Sequence, residues 1–103
     1  MNEKLWILLE KIPVGKVVSY SYLATQLQTS PRVIGKWLHK NTNPEKYPCH
    51  RVVRKDGSLA SGYAFGGEYA QRKLLEKEGI KFDKNEKIGI ERFISNFEDV
   101  IKI

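Results

Sequence analysis

Residues 19–40 read SYSYLATQLQTSPRVIGKWLHK, two short helical patterns on either side of a turn. Ser19 is placed to cap the first helix, and Ser30, followed by Pro31, is placed to cap the second, which runs to about Lys40. The residues predicted to face inward are Tyr22, Leu23, Gln26 and Leu27 in the first helix and Val33, Ile34, Trp37 and Leu38 in the second. Two short helices across a tight turn are typical of a helix-turn-helix.

The flanking sequence predicts a mainly α-helical domain with short extended segments. Before the helix-turn-helix, one apolar helical face is formed by Leu5, Leu8, Leu9 and Ile12. After it come a short extended segment over 51–53, a helix over 68–78 that Gly79 ends, and a tail with an extended piece and a last helix. The apolar residues that indicate this tail are Ile88, Ile90, Phe93, Ile94 and Phe97. We therefore predict a single domain, residues 1–103, with a winged-helix-like architecture.

Composition restricts the classes of protein to which the chain can belong. Eighteen Lys and Arg against 12 Asp and Glu give a formal net charge of +6, which favours a polyanionic partner such as a nucleic acid. One cysteine cannot form an internal disulfide, which indicates an intracellular, cytoplasmic protein, and one Cys with two His is too few for a structural zinc site. No segment approaches the ~20 apolar residues of a membrane span, and no signal peptide is expected.

The outer face of the second quoted helix is basic and contains a glycine. Arg32, Gly35, Lys36 and His39 recur at i, i+3, i+4 and i+7 and therefore share one side of the helix, which we call the basic face. Glycine inside a helix costs roughly 1 kcal/mol relative to alanine and often marks a close approach by another molecule. The basic face is either a solvated surface or one that contacts a phosphate backbone or groove wall.

The segment Pro48-Cys49-His50-Arg51-Val52-Val53 holds the candidate nucleophile. Only the thiolate form of a cysteine is a good nucleophile, and the ordinary pKa of a thiol is about 8.5. His50 could take the proton of Cys49, directly or through a water, while Arg51 could supply positive charge. The alternative is a buried structural cysteine beside chance charges.

A carboxylate on the predicted helix 68–78 is a candidate partner for His50. Ala70, Leu74 and Glu78 are spaced four residues apart, so Glu78 ends an otherwise apolar stripe. At that position the carboxylate either reaches solvent at the helix end or is paired inside the protein. If it is paired inside, it could orient His50 as the third member of a Cys–His–carboxylate relay.

These motifs resemble those of the O6-alkylguanine-DNA alkyltransferases, also called methylated-DNA–protein-cysteine methyltransferases. Pro-Cys-His-Arg-Val-Val at 48–53 is similar to the active-site signature of that family, which is highly specific. The resemblance covers about residues 5–82, corresponding to the catalytic C-terminal domain of the larger members, and leaves 83–103 as a C-terminal extension. The other matching segments are 12–20 (IPVGKVVSY), 32–35 (RVIG), Asn41, Gly66-Gly67 and 74–79 (LLEKEG).

The resemblance implies a DNA-repair activity, the direct and irreversible transfer of an alkyl group from O6-alkylguanine in duplex DNA to Cys49. Each molecule would act once, with no cofactor and no metal. Cys49 would accept the alkyl group, His50 would act as a base through a bound water, and Glu78 would orient His50. Tyr20 would contact the flipped guanine and donate a proton to it. Asn41 would tie the helix-turn-helix to the active-site loop.

The same resemblance implies how DNA would bind. The basic face would enter the minor groove, and Arg32 would fill the gap left by the extruded base. The carbonyls of Cys49 and Val52 would receive the guanine amino group, and Phe65 lies near a position that helps to hold the base. We expect a monomer that acts on double-stranded DNA and has no membrane partner.

Departures from the family pattern leave an alternative open. The loop 62–67 is longer and more aromatic than in the classical enzymes and resembles that of the alkyltransferase-like proteins, which bind the same lesions without a reactive cysteine. Tyr47 stands where an aliphatic residue is usual, and the N-terminal domain of the larger members is expected to be absent. Because Cys49 is present, transfer is favoured over recognition of O6-alkylguanine without repair. We see no motif for the dimer interface of a transcription regulator or the oxyanion hole of a cysteine hydrolase.

Overall fold

Helices dominate the fold and the strands are short, which confirms the predicted fold class. The computed structural model describes residues 3–60 and 63–94. Its elements in chain order are α1 (Glu3–Glu10), β1 (Val18–Ser19), α2 (Tyr20–Gln26), α3 (Pro31–Leu38), a 3-10 turn (Cys49–Arg51), β2 (Val52–Val53), α4 (Gly67–Lys77) and a second 3-10 turn (Ile90–Arg92). No helix in the described ranges is long and apolar enough to cross a membrane.

Helices α2 and α3 form the predicted helix-turn-helix, and both begin at the predicted caps. The Ser19 hydroxyl accepts a hydrogen bond from the Tyr22 amide at 2.9 Å. The Ser30 hydroxyl accepts one from the Val33 amide at 3.3 Å, directly before Pro31 at the start of α3. Each cap satisfies a backbone donor that has no partner within its own helix.

The ends and inner faces of these helices differ in detail from the prediction. Gln26 is exposed, and Leu23 and Ala24 are the buried residues of α2. Helix α3 ends at Leu38 rather than Lys40, because the Lys40 and Asn41 amides bond to carbonyls only three residues back, which tightens the last turn.

A two-stranded parallel sheet joins the helix-turn-helix to the segment that follows it. Val18 lies opposite Val52, and Ser19 lies opposite Val53. All three valines are fully buried, and burying each stabilises the fold by about 1.5–3 kcal/mol, so this register is strongly preferred. Since the pairing is parallel and β1 leads directly into α2, the start of α2 lies beside the residues that follow β2.

The tail packs onto the same core as far as residue 94. Phe82 and Ile88 form an antiparallel bridge, and the Ile94 amide donates to the Val17 carbonyl at 2.9 Å. Ile88 and Ile94 are buried, whereas Ile90 is 87% exposed. The predicted extended piece is therefore present, and the predicted last helix, which includes Phe97, lies outside the described residues.

Gly57 provides a test of how tightly the tail packs. Its φ is +91°, and a Cβ atom there would collide with the backbone of Ile88. We expect Gly57→Ala to lower the free energy of unfolding by about 2–4 kcal/mol, the sum of left-handed strain and a steric clash. Gly79→Ala is the matched control, because Gly79 has the same φ but open space around it. It should lose only about 1–2 kcal/mol in the same chemical denaturation experiment. Equal losses would show that the Ile88 contact is unimportant.

Candidate active site and nucleic-acid interface

Cys49 begins the 3-10 turn and is nearly buried, with 4% of its surface exposed. Its amide donates to the Tyr47 carbonyl at 2.7 Å, which holds the chain in a sharp bend at Pro48. The Tyr47 ring packs against Trp6 of α1, with 5.3 Å between ring centroids. An aromatic residue therefore fits at position 47, where the sequence departs from the family pattern.

A cavity of about 380 Å³ brings together five of the residues predicted for the site. The predicted residues that line it are Tyr20, Arg32, Gly35, His39 and Cys49. The nucleophile candidate and most of the basic face therefore share one opening, although they are separated in sequence.

Other cavity residues were not predicted from the sequence. Arg54 and Lys55, which follow β2, line the same opening as the basic face, and so does Tyr63. Burial raises the pKa of Tyr63 to about 12, with a smaller contribution from Cys49. Pairing of Val18 with Val52 in a parallel sheet aligns Tyr20 with residue 54. Had this pairing been predicted from the two valine-rich segments, it would have identified Arg54 as a site residue.

His50 and Glu78 form the predicted pair. His50 Nε2 lies 2.9 Å from Glu78 Oε2, and the two side chains are 9% and 15% exposed. Burial lowers the pKa of His50 and outweighs the opposing effect of Glu78, so the ring is neutral at neutral pH. A carboxylate only accepts hydrogen bonds when ionised, so Nε2 carries the proton and Nδ1 is left as the acceptor.

Glu78 is also paired with Arg51, which settles the direction of the arginine side chain. Arg51 Nε donates to Oε1 at 2.9 Å, Nη2 donates to Oε2 at 2.6 Å, and Nη1 donates to the Ile12 carbonyl at 2.7 Å. Burial acts to raise the pKa of Glu78, but the hydrogen bonds from Arg51 and His50 prevail and hold the pKa below its ordinary value. The Arg51 charge is thus neutralised by Glu78, which weakens the idea that Arg51 activates the thiol directly.

The buried face of α4 differs from the predicted stripe. Leu74 is 39% exposed, while Gln71 and Leu75 are buried, so Gln71, Leu75 and Glu78 share the inner face at i, i+4 and i+7. The prediction that Leu74 lies on this face was wrong, whereas Ala70 is partly buried and packs against the core. Gln71 takes a place on the inner face because it is a polar residue that finds partners inside. Its Nε2 donates to the His50 carbonyl at 2.9 Å and to the Val52 carbonyl at 3.0 Å.

Asn41 connects the end of α3 to the bend before Cys49. Its Nδ2 donates to the Tyr47 carbonyl at 2.8 Å, and its Oδ1 accepts from the Asn43 amide at 2.9 Å. Burial raises the pKa of Cys49, while hydrogen bonds from the Asn41 side chain and the Cys49 backbone act in the opposite direction. The thiol is therefore protonated at neutral pH, and a nearby base is needed to make it a nucleophile.

Besides His50, Glu78 and Asn41, three further predicted residues lie outside the lining of the cavity. Lys36 is exposed on α3, and Val52 is fully buried in the sheet. Phe65 is 38% exposed and packs edge-on against Tyr63, with 5.8 Å between ring centroids. Within residues 3–60 and 63–94, no group of three His, Cys, Asp or Glu side chains could hold a metal ion.

Comparison with known proteins places this domain among the alkyltransferase DNA-binding domains. The family model for the DNA binding domain of 6-O-methylguanine DNA methyltransferase matches residues 1–80. The methylated-DNA–protein-cysteine methyltransferase of Saccharolobus islandicus is 46% identical over 71 residues, covering 69% of this chain and 45% of that protein. The chain therefore belongs to the 6-O-methylguanine DNA methyltransferase family, as the resemblance implied. It spans about half the length of the curated relatives it matches.

Two solved structures are similar to this fold. The O6-methylguanine-DNA methyltransferase of Pyrococcus kodakaraensis is 39% identical with a TM-score of 0.67, covering 76% of this chain and 45% of that one. Atl1 of S. pombe, solved in complex with damaged DNA containing O6-carboxymethylguanine, is 23% identical with a TM-score of 0.75, covering 91% and 94% of the two chains. At that identity, the likeness to Atl1 shows the fold alone.

The lowered pKa of His50 leads to a prediction about stability. The unfolded chain binds the His50 proton near the ordinary pKa of 6.5, and the folded protein binds it only at lower pH. Neutral His50 therefore contributes fully to the free energy of unfolding above about pH 6.5. This contribution is lost as the pH falls through the lower pKa of His50 in the folded protein. We expect the free energy of unfolding to decline from about pH 6.5 to pH 5 in the wild type and to stay nearly constant in His50→Gln. His39→Gln, on the exposed basic face, is the control and should keep the wild-type decline. If the free energy of unfolding of His50→Gln declined with falling pH as steeply as that of the wild type, the decline could not be assigned to His50.

Proposed function

We propose that this protein repairs O6-alkylguanine in duplex DNA by transferring the alkyl group to Cys49. The observation that carries the proposal is the shared cavity, which Cys49 lines together with Tyr20 and most of the basic face. The His50–Glu78 pair next to Cys49 supplies a base whose orientation is held. The nucleophile and the candidate DNA surface thus share one opening, and the proposed base follows the nucleophile directly in the chain.

The proposed reaction starts from a protonated thiol. His50 Nδ1 takes the Cys49 proton, directly or through a water, while Glu78 holds the other ring nitrogen. The sulfur then attacks the alkyl carbon, so that an S–C bond forms and the bond from that carbon to O6 breaks. The electron pair leaves with guanine, which takes a proton from the Tyr20 hydroxyl, and the proton held by His50 restores Tyr20 through solvent. The thioether product is stable, so each molecule reacts once and needs no cofactor.

Burial raises the pKa of Tyr20, with a smaller contribution from Cys49, while Arg54 lowers it. The hydroxyl is therefore protonated at neutral pH and available as a donor to the departing base. In the proposed complex the carbonyls of Cys49 and Val52 receive the guanine amino group. Phe65, which packs against Tyr63, supports the cavity wall from outside.

Access to the lesion requires the guanine to leave the base stack. Unstacking costs a few kcal/mol, which an inserted side chain and phosphate contacts can offset. Arg32 is exposed at the first turn of α3 and would fill the gap in the minor groove, while Lys36 and His39 contact phosphates. A Cβ atom added at Gly35 meets nothing within 4 Å, so this position leaves room for a groove wall to approach. The protein would act as a monomer on DNA within the cytoplasm.

Recognition of the lesion without repair is the second candidate function. The sequence of the loop 62–67 favours it, because that sequence resembles the corresponding loop of the alkyltransferase-like proteins. Against this candidate stands Cys49 itself, at the edge of the cavity with a paired base beside it. A lesion binder needs neither the thiol nor the base, and we therefore favour transfer.

Transfer to Cys49 is tested by intact-protein mass spectrometry after incubation with a duplex that carries O6-methylguanine. We expect the mass to rise by one methylene unit per molecule, with the added group on the Cys49 peptide and unmodified guanine left in the DNA. Cys49→Ser should bind the duplex but remain unmodified. Wild-type protein that binds the lesion and keeps a free thiol would support the lesion-binding function instead.

The role of Arg32 is tested by comparing two substrates. Arg32→Ala should slow repair of O6-alkylguanine in duplex DNA at least tenfold while sparing reaction with free O6-benzylguanine, because a free base needs no extrusion. Lys36→Ala, on the same face, is the matched control. It should weaken binding to any DNA sequence and flatten its salt dependence, as expected of a phosphate contact. Equal slowing of both substrates by Arg32→Ala would reject the insertion of this side chain.

A further inference from the structure

Gln71 lies on the inner face of α4 and has no part in the mechanism described above. Its side chain is only 2% exposed, and Nε2 donates to the His50 carbonyl at 2.9 Å and to the Val52 carbonyl at 3.0 Å. Both hydrogens of the amide are thus directed at the main chain that follows Cys49. Burying an amide is unfavourable unless such partners are present, so the two bonds account for its position.

Helix α4 holds the segment 50–52 in two different ways. Glu78 binds the side chains of His50 and Arg51, whereas Gln71 binds main-chain carbonyls on either side of Arg51. Residues seven apart in a helix lie on one face, about 10 Å from each other. The segment is therefore fixed to α4 at separate points, which restricts both the path of its backbone and the direction of the His50 ring.

Packing alone does not require an amide at this position. Leu75, the next residue on the same face, is apolar and completely buried. A methionine has nearly the length and volume of glutamine and could fill the same space without a donor. What the glutamine adds is the pair of hydrogen bonds to the turn that carries the nucleophile.

We infer that Gln71 is a positioning residue for the nucleophile: its amide fixes the turn that presents Cys49 to the cavity and sets His50 against Glu78. The inference rests on the proposed function, since it concerns the thiol that would accept the alkyl group. It extends that function to a residue that touches neither the thiol nor the substrate and acts through the backbone of its neighbours.

The test uses the reactivity of the thiol itself, without DNA. Cys49 is the only cysteine in the chain, so the rate at which iodoacetamide consumes free thiol reports on this residue alone. The rate is measured across pH on the full chain, together with the melting temperature. Every variant keeps the titratable and charged groups that line the cavity with the thiol or belong to the Glu78 network: Tyr20, Arg32, His39, His50, Arg51, Arg54, Lys55, Tyr63 and Glu78.

Gln71→Met removes the donor and keeps the volume. We expect it to slow the reaction at neutral pH by about tenfold to a hundredfold, because His50 is no longer held in place to assist deprotonation. The difference in rate between Gln71→Met and the wild type should become smaller as pH rises toward the range in which the thiol ionises without a base. Lys73→Met introduces the same side chain at an exposed position of α4 and should react at the wild-type rate.

Gln71→Glu is an independent test, because the glutamate side chain has the shape of glutamine. Its ionised carboxylate would face two carbonyls and hold neither, whereas its protonated form can donate to one of them. Relative to wild type, its rate should therefore recover as the solution becomes mildly acidic. The relative rate of Gln71→Met should show no such recovery. This variant also carries the test if Gln71→Met does not fold.

Two outcomes separate this inference from its alternatives. If both variants lower the melting temperature but react with iodoacetamide as the wild type does at every pH, Gln71 is only structural and the inference is overturned. If the wild type fails to take an alkyl group from DNA while Gln71→Met still slows the thiol, the proposed repair function is wrong and the positioning role stands. Transfer from DNA and reaction with a small reagent thus distinguish the two claims.

Discussion

At the C-terminal end of α4, the Glu78 carboxylate accepts hydrogen bonds from both His50 and Arg51, and the arrangement of the site depends on these contacts. An unpaired carboxylate in this half-buried position would be strongly unfavourable, but Arg51 is always charged and matches it with two parallel bonds. Pairing with Arg51 keeps Glu78 ionised, and an ionised Glu78 in turn keeps the proton of neutral His50 on Nε2. The remaining Arg51 contact, to the Ile12 carbonyl, extends the same network to the segment after α1. One carboxylate therefore determines which nitrogen of His50 can act as a base.

The parallel sheet contributes a second constraint, which acts on the backbone. Because Val18 pairs with Val52, the chain that enters α2 runs alongside the chain that leaves Cys49. A shift of one residue would bury polar side chains in place of the valines, so the register is held by the hydrophobic core rather than by the site. Tyr20 and Cys49 thus line the same cavity as a consequence of core packing.

Local patterns made much of the helix-turn-helix predictable from sequence, since Ser19, Ser30 and Pro31 signal the starts of α2 and α3 through short-range chemistry. The pairing of His50 with Glu78 was one of two alternatives, because helical spacing shows which residues share a face but not whether that face meets another segment. Gln71 was missed for a related reason. A polar residue is normally assigned to the surface, and its partners here are backbone carbonyls, which leave no trace in the sequence. Arg54 and Tyr63 became candidates only once the cavity was known.

The raised pKa of Cys49 fits a protein that would be consumed by its own reaction. A thiolate exposed to solvent would react with any electrophile, and each such reaction would inactivate one molecule permanently. Burial keeps the thiol protonated and 4% exposed, so its intrinsic reactivity is low in the absence of substrate. A base bound close by can still remove the proton once an alkyl carbon is in line with the sulfur, since proximity replaces the need for a preformed thiolate. A permanent positive charge beside the thiol would lower the pKa of Cys49 whether or not DNA is bound. A neutral His50 held by Glu78 avoids this, and therefore suits a protein in which each molecule reacts only once.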